Sequence, residues 1–118
     1  MAVQITPGTN ATPVATNGTT PVEIVPAPAA GVTRIVLSIV YDNQDTTDHQ
    51  ATLNKVIAAA DHRIWHNKTV STESTEVVTD RDNVIMLDDT MSLEFVLGEA
   101  KATLDGEVEV SWIDREVV

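Results

Sequence analysis

Apolar and polar residues alternate with period two in short runs along most of this chain, the pattern of half-buried β-strands. Thr33 to Tyr41 is the clearest run: Ile35, Leu37, Ile39 and Tyr41 fall on one face, and Arg34, Val36, Ser38 and Val40 on the other. Leu93, Phe95 and Leu97 alternate with Ser92, Glu94 and Val96 before Gly98. After the Asp105-Gly106 turn, Val108, Val110 and Trp112 alternate with Glu107, Glu109 and Ser111. Val22-Glu23-Ile24-Val25 is β-branched and bracketed by Pro21 and Pro26. Residues 71–79 read as a polar Thr/Val strand near an edge, and Val84-Ile85-Met86-Leu87 as a short apolar strand closed by Asp88-Asp89. Two periods compete from His49 onward, because Leu53, Val56, Ile57 and Ala60 also match a helical stripe. The strand reading is preferred, with an Ala-rich turn and residues 61–66 as the hairpin partner. The expectation is an all-β fold, an antiparallel β-sandwich or jelly roll of about seven or eight strands. Its expected core contains Ile35, Leu37, Ile39, Leu53, Trp65, Leu93, Phe95, Leu97, Val110 and Trp112.

The first twenty residues break this pattern. They are Thr, Pro, Gly, Asn and Ala with few large apolar groups, and cannot build a core of their own. The chain therefore divides into an extended N-terminal assembly arm, 1–20, and a β-sandwich domain, 21–118. Pro7 and Pro13 favour extended backbone that loses little entropy on ordering. Val3, Ile5 and Val14 are apolar pegs, and the many Thr groups suit pairing with an exposed strand edge. The expected dock is a neighbouring subunit; the alternative is the arm folded back on its own sandwich as an edge strand.

Length and charge narrow the partners. With 118 residues there is room for one domain. A formal charge of −11 disfavours phosphate backbones and anionic lipid, so neither nucleic acid nor membrane is an expected partner. The chain has no cysteine, which excludes thiol catalysis, disulfides and thiolate metal sites. The first residues lack the charged and apolar regions of a secretory signal. Asn-x-Thr triplets at Asn10, Asn17 and Asn67 read as chance in a Thr-rich sequence.

No constellation carries catalysis. His62 and His66 would share a strand face about 13 Å apart, too far to chelate one metal. The Asp42, Asp45, Asp48 run has Thr47 and Leu53 where a calcium loop needs Gly and Glu, and reads as a solvated turn. Asp88 and Asp89 would point to opposite faces, a poor acid/base pair. No serine sits in a nucleophile motif, and the five glycines are scattered, so no phosphate loop exists. Trp65 and Trp112 read as core anchors. The expectation is no enzyme, no cofactor and no metal.

Two stretches carry a resemblance. Val22 to Leu53 contains an Ala-Pro-Ala-Ala-Gly-Val-Thr-Arg turn, a long apolar strand and the Tyr41-Asp42-Asn43-Gln44-Asp45 turn. The second runs from Leu87-Asp88-Asp89-Thr90 through Leu97 and on to Val110-Ser111-Trp112. Together they resemble the small β-sandwich head decoration and stabilisation proteins of tailed bacteriophages and related gene-transfer particles. The resemblance implies a structural virion protein on the capsid exterior, found in the host cytoplasm during assembly. The partners it implies are the major capsid protein and copies of the chain itself, as a trimer or pentamer. Alternatives are a head-fibre base, a neck or tail component and, from another class, a carbohydrate-binding β-sandwich module.

Overall fold

In a computed structural model describing residues 2–9 and 12–117, the alternating runs are strands, and no helix occurs among the described residues. Met1, Asn10, Ala11 and Val118 lie outside the described residues, and with Asn10 the first of the Asn-x-Thr acceptors. In chain order the strands are β1 (Val3–Thr9), β2 (Val14–Ala15), β3 (Val22–Val25), β4 (Val32–Asn43) and β5 (His49–Ile57). They continue as β6 (Ala60–Val70), β7 (Ser74–Thr79), β8 (Ile85–Leu87), β9 (Met91–Leu97) and β10 (Glu107–Val117). A six-stranded sheet has the order β1-β10-β4-β7, with β2 also on β10 and β8 also on β4. A four-stranded sheet has the order β3-β9-β5-β6. All pairings between these strands are antiparallel, so the fold is an antiparallel β-sandwich. The strands expected from the alternation are β3 to β10; the N-terminal segment adds β1 and β2.

Between the sheets lies a core that includes Ile39, Leu53, Leu93, Phe95, Leu97 and Val110, as the alternation predicted. Tyr41 joins them, its ring 5.0 Å from that of Phe95 in a tilted stack. Trp65 and Trp112 are half-buried and pack against the core from its margins. Ile35 and Leu37 do not belong to it. Ser111 pairs with Ser38 and Trp112 with Val36, leaving Leu37 as an extra residue, a β-bulge in β4. A one-residue slip exchanges the faces. Val36 is therefore inward before the bulge, and Ile39 and Tyr41 after it. Ile35 is turned outward.

The segment after His49 is a hairpin. Ile57 pairs with Ala60 across Ala58-Ala59, whose φ angles of 49° and 67° make a two-residue turn left-handed at both positions. Leu53 points into the core from β5 and meets Trp65 of β6.

The N-terminal segment takes the second of its two expected placements. β1 runs antiparallel to β10, from Val3 opposite Val117 to Thr9 opposite Ser111, and β2 continues along the same edge. The physical reason is the length of β10, which offers eleven residues of edge to any Thr/Val strand within reach. Residue 20 is no boundary in the fold either. Thr16 is buried and donates its N–H to Gly106 O at 2.9 Å, and Leu97 donates to Gly18 O at 3.0 Å. Gly8 lies directly on the Trp112 indole, where a Cβ would collide with the ring.

Candidate functional site

Three features of the sandwich differ from what a plain β-scaffold needs. The first is a buried polar network at one end. Asp45, in the loop between β4 and β5, is fully buried, so it is not the solvated turn residue that its sequence context suggests. Its carboxylate accepts N–H bonds from Thr46, Ala102, Thr103 and Leu104 at 2.7 to 3.2 Å, and meets His49 Nε2 at 2.7 Å. Burial alone would raise its pKa. The Ala102 amide, His49 and the amides of Thr46 and Leu104 outweigh that and hold it well below the usual carboxylate range. His49, 1% exposed, faces Glu99 Oε1 with Nδ1 at 2.7 Å. Both ring nitrogens thus meet carboxylate oxygens, Nε2 that of Asp45 and Nδ1 that of Glu99. Asn43, also buried, gives its amide protons to the carbonyls of Thr47, Val70 and Ser71 and accepts from the Asp45 N–H. Among the described residues no hydroxyl nucleophile meets His49; Asp45, His49 and Asn43 are buried, and only Glu99 reaches solvent. Its chemistry is to clamp three loops together.

The second feature is an apolar stripe on the outer face of the six-stranded sheet. Gly8, Trp112, Val36 and Ile85 pair in register across β1, β10, β4 and β8, and Val36 and Ile85 point into the core. The adjacent row therefore points outward, and it reads Pro7, Ile113, Ile35 and Met86. On the same face follow Ile5 beside Arg115, then Val3 beside Val117. Ile5 is 60% and Met86 57% exposed. Beneath this end, Arg34 grips Asp114 with two bonds of 2.8 and 3.0 Å and stacks 4.8 Å from the Trp112 ring centroid. It also donates to Pro26 O at 2.7 Å, so the support of the stripe is rigid. The other end of the same outer face is mixed: Glu107, Glu109 and Asp42 surround Val40 and the exposed Val77, with Ser38 bonded to Ser111 at 2.7 Å.

Of the expected arm residues, the structure brings Val3, Ile5 and Pro7 together on this stripe. It separates Val14, which packs against the core of its own chain, and Pro13, which is half-buried beside it. Sequence reasoning missed Ile35, Ile113 and Met86. The signal was present: Ile35-Val36-Leu37, Trp112-Ile113 and Ile85-Met86-Leu87 are apolar at consecutive positions, which puts apolar groups on both faces of a strand.

The third feature is a polar cleft of about 720 Å³ on the outer face of the four-stranded sheet. Thr52 and Asn54 of β5 form its floor, and the edge strand β6 forms its wall with Asp61, His62, Arg63 and His66. His62 and His66 are exposed, and among the described residues no cluster of three or more His, Cys, Asp or Glu could hold a metal ion. Burial raises the pKa of Glu94, beside Asn54 on β9, and a hydrogen bond to the Asp61 carboxyl raises it further.

No family model and no curated relative matches the chain. Among solved structures, a chain of the T13 particle of infectious bursal disease virus superposes with a TM-score of 0.61 at 9% identity. The match covers 97% of this chain and 31% of the viral one, so the protein spans under a third of that chain. A chain of the Bacillus endospore appendages, described as disulfide-linked pili, superposes with a TM-score of 0.59 at 11% identity, covering 100% of this chain and 93% of that one. A chain of the cyanophage Pam1 capsid asymmetric unit aligns over 98% of this chain and 85% of its own at 18% identity, with a TM-score of 0.47. What the first two share with this protein is the fold.

Proposed function

We propose that this protein is a structural virion subunit that decorates and stabilises the outside of a tailed-phage head, bound to the major capsid protein. The observation that carries the reading is the outward stripe of Pro7, Ile113, Ile35 and Met86 with Ile5 and Val3 beside it. A free monomer has no use for so continuous an exposed apolar row, and such rows mark sites of association. The sandwich fold it sits on also serves in a virus particle and in a pilus, which supports a building-block role over catalysis. The acidic chain, with its −11 formal charge, stays soluble as a free subunit and is steered toward basic patches on a shell. Self-association, as a trimer or pentamer, would multiply the contacts each unit makes with the shell.

Adding purified protein to heads that lack it tests the reading. The double variant Ile5→Asp, Met86→Asp alters only exposed side chains, so it retains the melting temperature of the parent. It is expected to lose head binding by at least tenfold, which corresponds to about 1.4 kcal/mol. Undiminished binding of that variant, or failure of the parent chain to bind heads, overturns the proposal.

A further inference from the structure

We infer that the cleft on the four-stranded sheet is a binding site for a neutral polyhydroxylated ligand, a saccharide. The inference does not depend on the virion reading. It starts from Asn54, which is 7% exposed and lines the cleft, yet whose Oδ1 has no hydrogen-bond partner. A buried amide oxygen left unpaired is costly, so this atom is set to receive a donor from whatever fills the cleft.

Its neighbours define the donor. Asn54 stands directly between Arg63 on β6 and Glu94 on β9. Asp61, bonded to Glu94, also faces the cleft. An anion would satisfy Arg63, but would set its charge against Asp61 and the Asn54 carbonyl. A cation would reverse the conflict. A hydroxyl both donates and accepts, so a ligand with several of them serves Asn54, Asp61 and Arg63 at once. Val96 adds an apolar patch for the C–H face of a ring.

The wall is built for this purpose. β6 carries two bulges opposite Leu53 and its flanks, the irregularity that re-aims side chains beside binding sites. Within one of them, where His66 and Asn67 stand opposite Thr52, Asn67 adopts a left-handed φ of 47° and is pinned by its N–H to Thr52 Oγ1 at 3.1 Å. A peptide is a weaker fit. Peptides bind sheets by extending the ladder at an edge, whereas the floor of the cleft is the face of β5, whose backbone is paired on both sides by β6 and β9. The cleft also lies on the sheet opposite the apolar stripe, so a subunit docked through one sheet leaves the other open.

Amide chemical shifts of the isolated protein, titrated with glucose, galactose, mannose and N-acetylglucosamine, test the site. At least one sugar is expected to give saturable shifts at Thr52, Asn54, Arg63, Asn67 and Gly98, with a dissociation constant of about 1 mM, ordinary for a single small ligand. Asn54→Leu and the exposed Arg63→Ala should each weaken binding about tenfold or more. Asn54→Leu removes an unpaired polar atom, and Arg63→Ala keeps the test open if that variant does not fold. The inference is overturned if no sugar shifts these amides, if inorganic phosphate or triglycine gives the same saturable shifts, or if both variants bind unchanged. Because no head is present, failure here leaves the shell-binding result standing, and the reverse also holds.

Discussion

At the scale of single residues, two carboxylates set the pH response in opposite senses. The Asp45 carboxyl titrates well below its ordinary value of 3.8, so the stability it contributes is complete above that value and is lost as the pH falls beneath it. Glu94 is displaced the other way by burial and by Asp61. The folded state keeps its proton above the ordinary value of 4.5 while the unfolded chain has released it. Its contribution is therefore present at low pH and lost as the pH rises from 4.5 through the raised value. Urea midpoints measured from acid to neutral pH should pass through a maximum and decline toward neutrality. In Glu94→Gln the decline should flatten while the acid limb stays, and an unchanged decline would mean that Glu94 is not its source. None of this was legible in the sequence. The donors that make Asp45 a clamp come from Ala102, Thr103 and Leu104, between 57 and 59 residues away. A local reading sees only an Asp in a polar turn. Asp88 was legible, because its partners are the N–H and Oγ1 of Thr90, two residues on.

At the scale of elements, strands were legible where alternation is strict and ambiguous where it is not. β9 and the first half of β10 alternate cleanly, and their inward residues were assigned correctly. β4 is apolar at Ile35, Val36 and Leu37 together, so its phase could not be read until the bulge at Leu37 was seen. The same doubly apolar runs hid the outer stripe, since an apolar residue on a presumed strand is assigned inward by default. The β5–β6 turn is the weakest element on local grounds. Ala58 and Ala59 both hold positive φ, which an L-residue with a Cβ tolerates poorly, and the turn type favours Asn-Gly. Replacing the pair by Ala58→Asn and Ala59→Gly should raise stability by about 1 kcal/mol, because relief of the strain outweighs the extra freedom glycine gains when unfolded. Denaturant unfolding reads this directly. A loss of stability would show that the alanines are held by packing around the turn and not merely tolerated.

At the scale of the whole molecule, the N-terminal strand joins the fold to its proposed assembly role. The sandwich measures 52 × 25 × 23 Å, and β1 lies along the outer edge of β10, held by backbone pairing and by the seat of Gly8 on Trp112. Every β1 residue except half-buried Gly8 is exposed, so the strand contributes little to the core and much to the stripe. The sequence predicted a device for assembly made of Val3, Ile5, Pro7, Pro13 and Val14; the fold divides it. Thr16 and Gly18 bond to Gly106 and Leu97 inside the sandwich, so a deletion must stop short of them. Removing residues 2–9 should leave a folded domain, with a melting temperature lowered by a few degrees at roughly 4–8 °C per kcal/mol lost. It strips Val3, Ile5 and Pro7 from the stripe and bares the β10 edge from Ser111 to Val117. Head binding should fall sharply, and the bared edge should promote self-association at high concentration. A synthetic peptide of residues 2–9, supplied in trans, is the control. If it pairs with β10 as β1 does, it suppresses the edge-driven association and restores the head binding together. If the truncated domain binds heads as well as the full chain does, the strand is an edge cover for β10, and the shell contact resides elsewhere.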